Sequence, residues 1–273
     1  KNLLMDIIMI NKNYESIIRK KPKLPLLFCC DHASNLIPNE YNKLGLNNSI
    51  LKSHIAYDIG AKKLTKILSK QYSTNAILGK YSRLFIDLNR EENHKNLIPM
   101  TSDTIKIPNN ISLNKKEYKY RTNQFHKPYH EKLSNILLEM DKIFLCKTSL
   151  ICIHSFTPLL TDKIKRPWEI GLLFREDQSL LKPIIKSLKK SDAFKIGENK
   201  PYSGFDDVNY TMTRHGEKNK RPYISIEIRN DIFEEKNKKK FSKLLKNISE
   251  AIYISQIKLG EPYITFAKNI NLF

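Results

Sequence analysis

Four short apolar runs stand out along the chain, at residues 24–30, 83–88, 149–153 and 223–228. Each has the length of a buried strand and is too short for a buried helix. Residues 75–78 and 169–174 are weaker candidates of the same kind. Between the runs, apolar residues recur at helical spacing over residues 50–71, 115–144 (interrupted near Pro128), 180–188 and 234–259. Strands alternating with long helices predict an α/β fold, with a largely parallel sheet covered on both faces. The unbroken apolar stretch Leu150-Ile151-Cys152-Ile153 fits a central strand of such a sheet. Residues 93–111 are polar, with prolines at 99 and 108, and predict a long loop over the sheet edge or the functional site. No repeat or Gly/Ser linker divides the chain, so residues 1–273 are expected to form a single domain.

In open α/β sheets, ligands bind beyond the carboxyl ends of the strands. The residues just after each apolar run are therefore the first place to look for chemistry. After the first run comes Asp31-His32-Ala33-Ser34-Asn35, and after the second Asp87-Leu88-Asn89-Arg90. His154-Ser155-Phe156-Thr157 comes after the third, and the fourth carries Glu227 and Arg229. If these strands run parallel, they bring two histidines, an Asn-Arg pair and a glutamate to one edge. Two histidines and a carboxylate are the usual shell of a catalytic zinc that keeps a position open. A further carboxylate would take the proton of the attacking water. An arginine would hold a substrate anion. The set suits hydrolysis of an amide or acyl bond beside a carboxylate.

The order of these motifs carries a resemblance. His32-x-x-Asn35, Ser82-Arg83 with Asp87-Leu88-Asn89-Arg90, His154-Ser155-Phe156-Thr157-Pro158, Asn199-Lys200-Pro201-Tyr202-Ser203-Gly204 and Ile226-Glu227-Ile228-Arg229-Asn230 together resemble the N-formylglutamate amidohydrolase family over about residues 24–232. That family is distantly similar to zinc carboxypeptidases and aspartoacylase. The resemblance implies a three-layer zinc-exopeptidase-like hydrolase domain, with a mixed, largely parallel sheet between helices. It implies His32 and His154 as metal ligands and Glu227 as general base. Asn89 and Arg90 would grip the substrate, with Arg83 and Tyr202 lining the same pocket. It also implies one zinc ion per chain as cofactor and a small N-acyl amino acid, N-formyl-L-glutamate, as substrate. Where the relatives carry a ligand glutamate in the first motif, this chain has Asn35, and an amide oxygen is a poor zinc ligand. Asp58, in His54-Ile55-Ala56-Tyr57-Asp58-Ile59-Gly60, is taken as the third ligand instead, ahead of Asp31.

Plainer readings compete with several of these. His32 alone reads as a loop residue, and His154 as a core histidine. Glu227 reads as part of an exposed strand face with Ser225 and Arg229, and Asp58 as a helix cap. Arg83 would then pair with Asp87 or another core acid. His126-x-x-x-His130 has ligand-like spacing, but the intervening Pro128 explains the pattern equally as a first helical turn, so the pair is not assigned to metal. His54, His94 and His215 have no partner pattern. Ser34 and Ser155 lie beside histidines, but no Gly-x-Ser-x-Gly elbow accompanies them.

Charge changes this picture little. The net charge is +20, yet 39 of the 48 basic residues are Lys and only 9 are Arg, the residue that most often reads bases. Lys, Ile and Asn make up 99 of 273 residues, a bias of the kind an AT-rich genome imposes on all its proteins. No specific nucleic-acid partner is expected. Nor is a membrane partner, since no apolar run approaches the roughly 20 residues of a spanning helix. Cys29, Cys30, Cys146 and Cys152 form no CxxC pair and three lie in apolar runs, which favours a reducing cytoplasm over a disulfide framework.

Overall fold

A computed structural model of the chain describes residues 7–10, 13–160 and 165–260. In chain order its strands are β1 (Ile7–Ile10), β2 (Tyr14–Ile18), β3 (Leu26–Cys30), β4 (Asn75–Gly79), β5 (Thr101–Ser102), β6 (Ile105–Lys106), β7 (Ser149–Phe156), β8 (Ile170–Leu173), β9 (Ile196–Glu198) and β10 (Tyr223–Arg229). The helices are α1 (Asn48–Leu51), α2 (Ala61–Tyr72), α3 (Lys115–Arg121), α4 (Lys127–Phe144), α5 (Leu181–Ser191) and α6 (Lys238–Leu259). Eight strands form one sheet in the order β1-β2-β4-β3-β7-β10-β8-β9, and β5 with β6 makes a separate small hairpin. The central strands β4, β3, β7 and β10 are mutually parallel, while β2 and β8 join them antiparallel on either side. The fold is thus a single α/β domain with a mixed, mostly parallel sheet between helices.

Strand alternation explains the layers. In β3, Leu26, Phe28 and Cys30 face α2, α5 and α6, whereas Leu27 and Cys29 face α4. Ile151, Ile153, Ile224, Ile226 and Ile228 continue the first face, and Leu150, Cys152 and Tyr223 the second. Both faces are apolar, so these strands read as continuous hydrophobic runs instead of alternating ones. Among the described residues, no helix is long and apolar enough to cross a membrane.

The expectation of a strand over 83–88 is overturned. Leu84, Phe85 and Ile86 are all buried, but in turns within a third apolar cluster with Ile37, Leu44, Leu97, Ile98 and Ile107. Turn and loop hydrogen bonds together with side chains, not a ladder, satisfy this backbone, with the N–H groups of Phe85 and Ile86 donating to the Ser82 carbonyl and that of Asp87 to the Leu97 carbonyl. Asn110 donates to the Leu84 carbonyl at 2.7 Å, and the buried Arg121 donates to that of Phe85 at 3.2 Å. The segment 93–111 supplies part of this cluster, so it is a packed cover and not a purely polar loop. The helix expected over 50–71 is split as well. Only α1 and α2 are helical, and Asp58 lies in the turn between them. The interruption expected near Pro128 lies just upstream of it, and Pro128 falls in the first turn of α4. The π-turn Thr122–His126 links α3 to α4, and this wide turn directly upstream accommodates a residue with no N–H to donate.

Arg221 ties the second layer to the sheet. Its guanidinium is buried and donates to both carboxylate oxygens of Asp141 at 3.2 Å, and to the carbonyls of Thr148 and His215 at 2.8 Å. Removing the carboxylate strands a buried cation, a change that typically costs about 3 kcal/mol or more. Asp141→Ala is therefore expected to lower the unfolding free energy in denaturant titrations by about 3 kcal/mol. A loss below about 1 kcal/mol, the level of an exposed pair, would contradict the assignment.

Candidate active site

The candidate ligands reach one place because of strand parity. β7 and β10 are adjacent and parallel, with Glu227 opposite His154 in the register. Both residues continue the rows that face α4, Leu150-Cys152 on one strand and Tyr223-Ser225 on the other, and they lie beyond the last packed apolar layer. β3 ends at Cys30, so Asp31 and His32 emerge at the same sheet edge. Asp58 joins them from its turn, where its backbone N–H donates to the His32 carbonyl at 2.9 Å. Gly60 lets α2 start immediately after that turn. Its φ is +84°, and a Cβ there would lie 2.1 Å from the Phe233 ring.

His32, Asp58 and His154 are buried, and one potential ligand atom from each lies within 4.8 Å of the others. Asp58 Oδ2 is 2.8 Å from His154 Nδ1 and 3.4 Å from His32 Nδ1, while Asp58 Oδ1 accepts from Arg83. Each imidazole has a separate carboxylate at its other nitrogen. His32 Nε2 is 2.7 Å from Asp87, and His154 Nε2 is 3.5 Å from Asp31. Asp31 is in turn held by the Tyr129 hydroxyl at 2.7 Å. This is the arrangement by which carboxylates orient metal-binding histidines. His32 Nδ1, buried beside Asp58, has no hydrogen-bond partner, as expected of an atom meant for a cation. The residues present therefore fit a divalent metal with mixed nitrogen and oxygen ligands.

Burial dominates the electrostatics. It pushes the Glu227 carboxyl above its usual range, although His154 and Arg83 pull the other way. His32 is lowered to about 4 by burial and by Arg83. His154 is raised to about 9, because Asp31 and Glu227 outweigh the effect of burial. Asp87 and Asp31 stay ionised despite burial, the first through Arg90 and His32, the second through His154 and Tyr129.

All eight residues singled out from the sequence, His32, Asp58, Arg83, Asn89, Arg90, His154, Tyr202 and Glu227, line one cavity of about 130 Å³. Asn89 Oδ1 is taken by the Thr211 N–H at 3.0 Å, so its amide donor is the group left for a ligand. Arg90 Nη1 donates to the Val208 carbonyl at 3.1 Å. The Nε atoms of Arg83 and Arg90 are buried without an acceptor. Tyr202 lies under the guanidinium of Arg166, whose Nη1 is 3.1 Å from its hydroxyl.

Several plainer readings fail. Glu227 is 6% exposed, so it is not part of an exposed strand face. Arg229 pairs with Asp231 and Glu169 and not with Glu227. The reading of Arg83 as the partner of a core acid holds, and that acid is Asp58. Asn35 stands outside the cluster, where its amide braces the loop by donating to the Leu51 carbonyl at 2.8 Å. Ser155 donates to the Ile59 carbonyl, and Ser34 accepts from the Leu36 N–H, so neither hydroxyl is paired with a histidine. Sequence reasoning missed Asp87 and Asp31 as histidine partners, and it missed Arg166 and Tyr129. For Tyr129 a signal existed, since it falls in the buried stripe with Leu133, Ile136, Leu137 and Met140 on α4. It also missed that His126, His130 and His215 come together beneath Asn89 and Arg90.

Comparison with known proteins agrees with this fold. A gene product of Agrobacterium tumefaciens of known structure is 29% identical, with a TM-score of 0.80 over 89% of this chain and 95% of its own. An N-formylglutamate amidohydrolase from Ralstonia eutropha shares the fold at 16% identity, with a TM-score of 0.62 over 94% of this chain and 98% of its own. A search of the curated proteins gave no match. The N-formylglutamate amidohydrolase (FGase) family profile matches residues 24–234, and the chain belongs to this family of amidohydrolases.

Proposed function

We propose that this protein hydrolyses the amide bond of an N-acyl amino acid, N-formyl-L-glutamate first among them, to formate and glutamate, and that it depends on a divalent metal, zinc in the first instance. The observation that carries the reading is the buried His32-Asp58-His154 cluster, with a carboxylate at the far nitrogen of each histidine and Glu227 in register beside His154.

His32, Asp58 and His154 would hold the metal, one ion per chain. When bound, such an ion acts as a Lewis acid on the acyl carbonyl and makes water more acidic. Glu227 takes the proton of the attacking water and passes it to the nitrogen of the leaving amine. Its raised carboxyl suits both halves of that task, since an efficient base has a pKa closer to neutrality. Arg90 and Asn89 grip the substrate carboxylate and orient the carbonyl, and Arg83 and Tyr202 border the same space. The unpaired, buried Nε atoms of Arg83 and Arg90 support an anionic ligand.

Formate release from a panel of N-acyl amino acids tests the substrate. The expected result is that N-formyl-L-glutamate is preferred over N-formyl-L-leucine by at least about 100-fold in kcat/KM, as a site with buried donors should prefer a dicarboxylate. Preference for another acyl amino acid would keep the chemistry and replace the substrate. Absence of turnover across the panel would remove the proposal.

A further inference from the structure

Asn89 and Arg90 lie in an irregular turn with no strand pairing, yet every carbonyl of the segment 88–90 has a donor. His130 Nε2 lies 2.9 Å from the Leu88 carbonyl, and His126 Nε2 lies 2.9 Å from that of Arg90. The Asn89 carbonyl faces the Tyr210 N–H at 3.4 Å. A carbonyl can only accept, so both imidazoles carry their proton on Nε2. His130 Nδ1 must then accept, and His215 Nε2 supplies the donor at 2.9 Å. His215 Nδ1 accepts in turn from the Ser134 hydroxyl at 3.3 Å. The direction of the whole chain is set from its carbonyl end.

Two further features show that this is a built device. His126 and His215 each sit in a π-turn, Thr122–His126 and Met212–Gly216, a wide turn that is uncommon and often marks functional sites. The second of these turns starts directly after Thr211, whose N–H fixes the Asn89 side chain. The histidines thus support the backbone of the Asn-Arg pair while the neighbouring segment supports its side chain. All three are buried, and burial holds each of them below the ordinary imidazole range, His215 down to about 3.

We infer that His126, His130 and His215 are positioning residues, which hold the 88–90 backbone so that Asn89 and Arg90 meet the substrate carboxylate. The inference rests on the proposed role of those two residues. A displacement of about 1 Å in such a grip can cost about 100-fold in rate.

The test compares kcat/KM for N-formyl-L-glutamate and for its two mono-amides, in which one carboxylate is neutral. Arg90→Ala identifies the amide that is insensitive to loss of the arginine. His130→Leu, with wild-type metal content, is expected to lower kcat/KM for the diacid about 10- to 100-fold, mainly through KM, while sparing that same amide. His130→Gln, which keeps a donor near the Nε2 position, is expected to recover most of the loss. Equal losses on all three substrates would indicate mere structural damage and overturn the inference, as would an unchanged diacid preference. If His130→Leu does not fold, His126→Leu against His126→Gln makes the same comparison at the Arg90 carbonyl, with the same overturning result. A wild-type chain that hydrolyses none of the three compounds fails the functional reading and this inference with it. An active wild type with an unaffected His130→Leu fails the inference alone.

Discussion

Glu227→Gln is expected to fold, to keep its metal and to lose between about 10²- and 10⁴-fold in kcat, the range that a positioned general base contributes. Glutamine matches the shape of glutamate and can still hydrogen-bond, but it cannot take a proton. The residue is well suited to isolate that one function. It lies on a central strand in register with His154 and lines the cavity, and among the described residues no hydrogen bond shifts its carboxyl. Loss of a buried carboxyl held above its usual range should cost little stability. Formate release under saturating substrate measures the effect, and metal content measured in parallel shows that the site is intact. Turnover within about threefold of wild type would take Glu227 out of the mechanism, because even the weakest base contribution exceeds that.

The second large effect concerns the metal. His32→Ala combined with His154→Ala is expected to take bound zinc from about one ion per chain to none, since two of three protein ligands are gone. Activity should fall to the background of the assay. Elemental analysis of the purified proteins reads this directly. The carboxylates behind the histidines predict a graded companion result. Asp87→Asn removes the charge at His32 Nε2, 2.7 Å away, without touching a ligand, and should weaken zinc affinity by about 10- to 100-fold. Unchanged metal content in the double variant would show that the His32-Asp58-His154 cluster is only a buried ion network.

The sequence and the structure agree wherever one element specifies the answer. The runs at residues 24–30, 149–153 and 223–228 became central parallel strands, because residues apolar on both faces leave few alternatives to a doubly covered sheet. With those strands parallel, His32, His154 and Glu227 had to emerge on one edge. Residues 83–88 show the limit. A short apolar run states that it is buried but not by what, and here local turn bonds with Asn110 and Arg121 satisfy its backbone in place of a ladder. Asp58 was reachable only by elimination, because a carboxylate in a turn carries no periodic signal. Its pairing with Arg83 is a tertiary event across 25 positions. The same holds for His126, His130 and His215. The last is 85 residues from its partner, and the contact exists only because a π-turn carries it to α4.

Asn35 changes its meaning between sequence and structure. In sequence it occupied the place of an expected ligand. In the structure it braces the loop against Leu51, and the carboxylate that lies with His32 and His154 is Asp58, from the turn that hydrogen-bonds to His32.

The central claim is metal-dependent hydrolysis of N-formyl-L-glutamate, and one measurement meets it head-on. Formate and glutamate release is measured on the purified protein as isolated, after exhaustive chelation, and after return of one equivalent of zinc. The account predicts stoichiometric release of both products, its loss on chelation and its recovery with the metal. Turnover that survives complete removal of metal would contradict it.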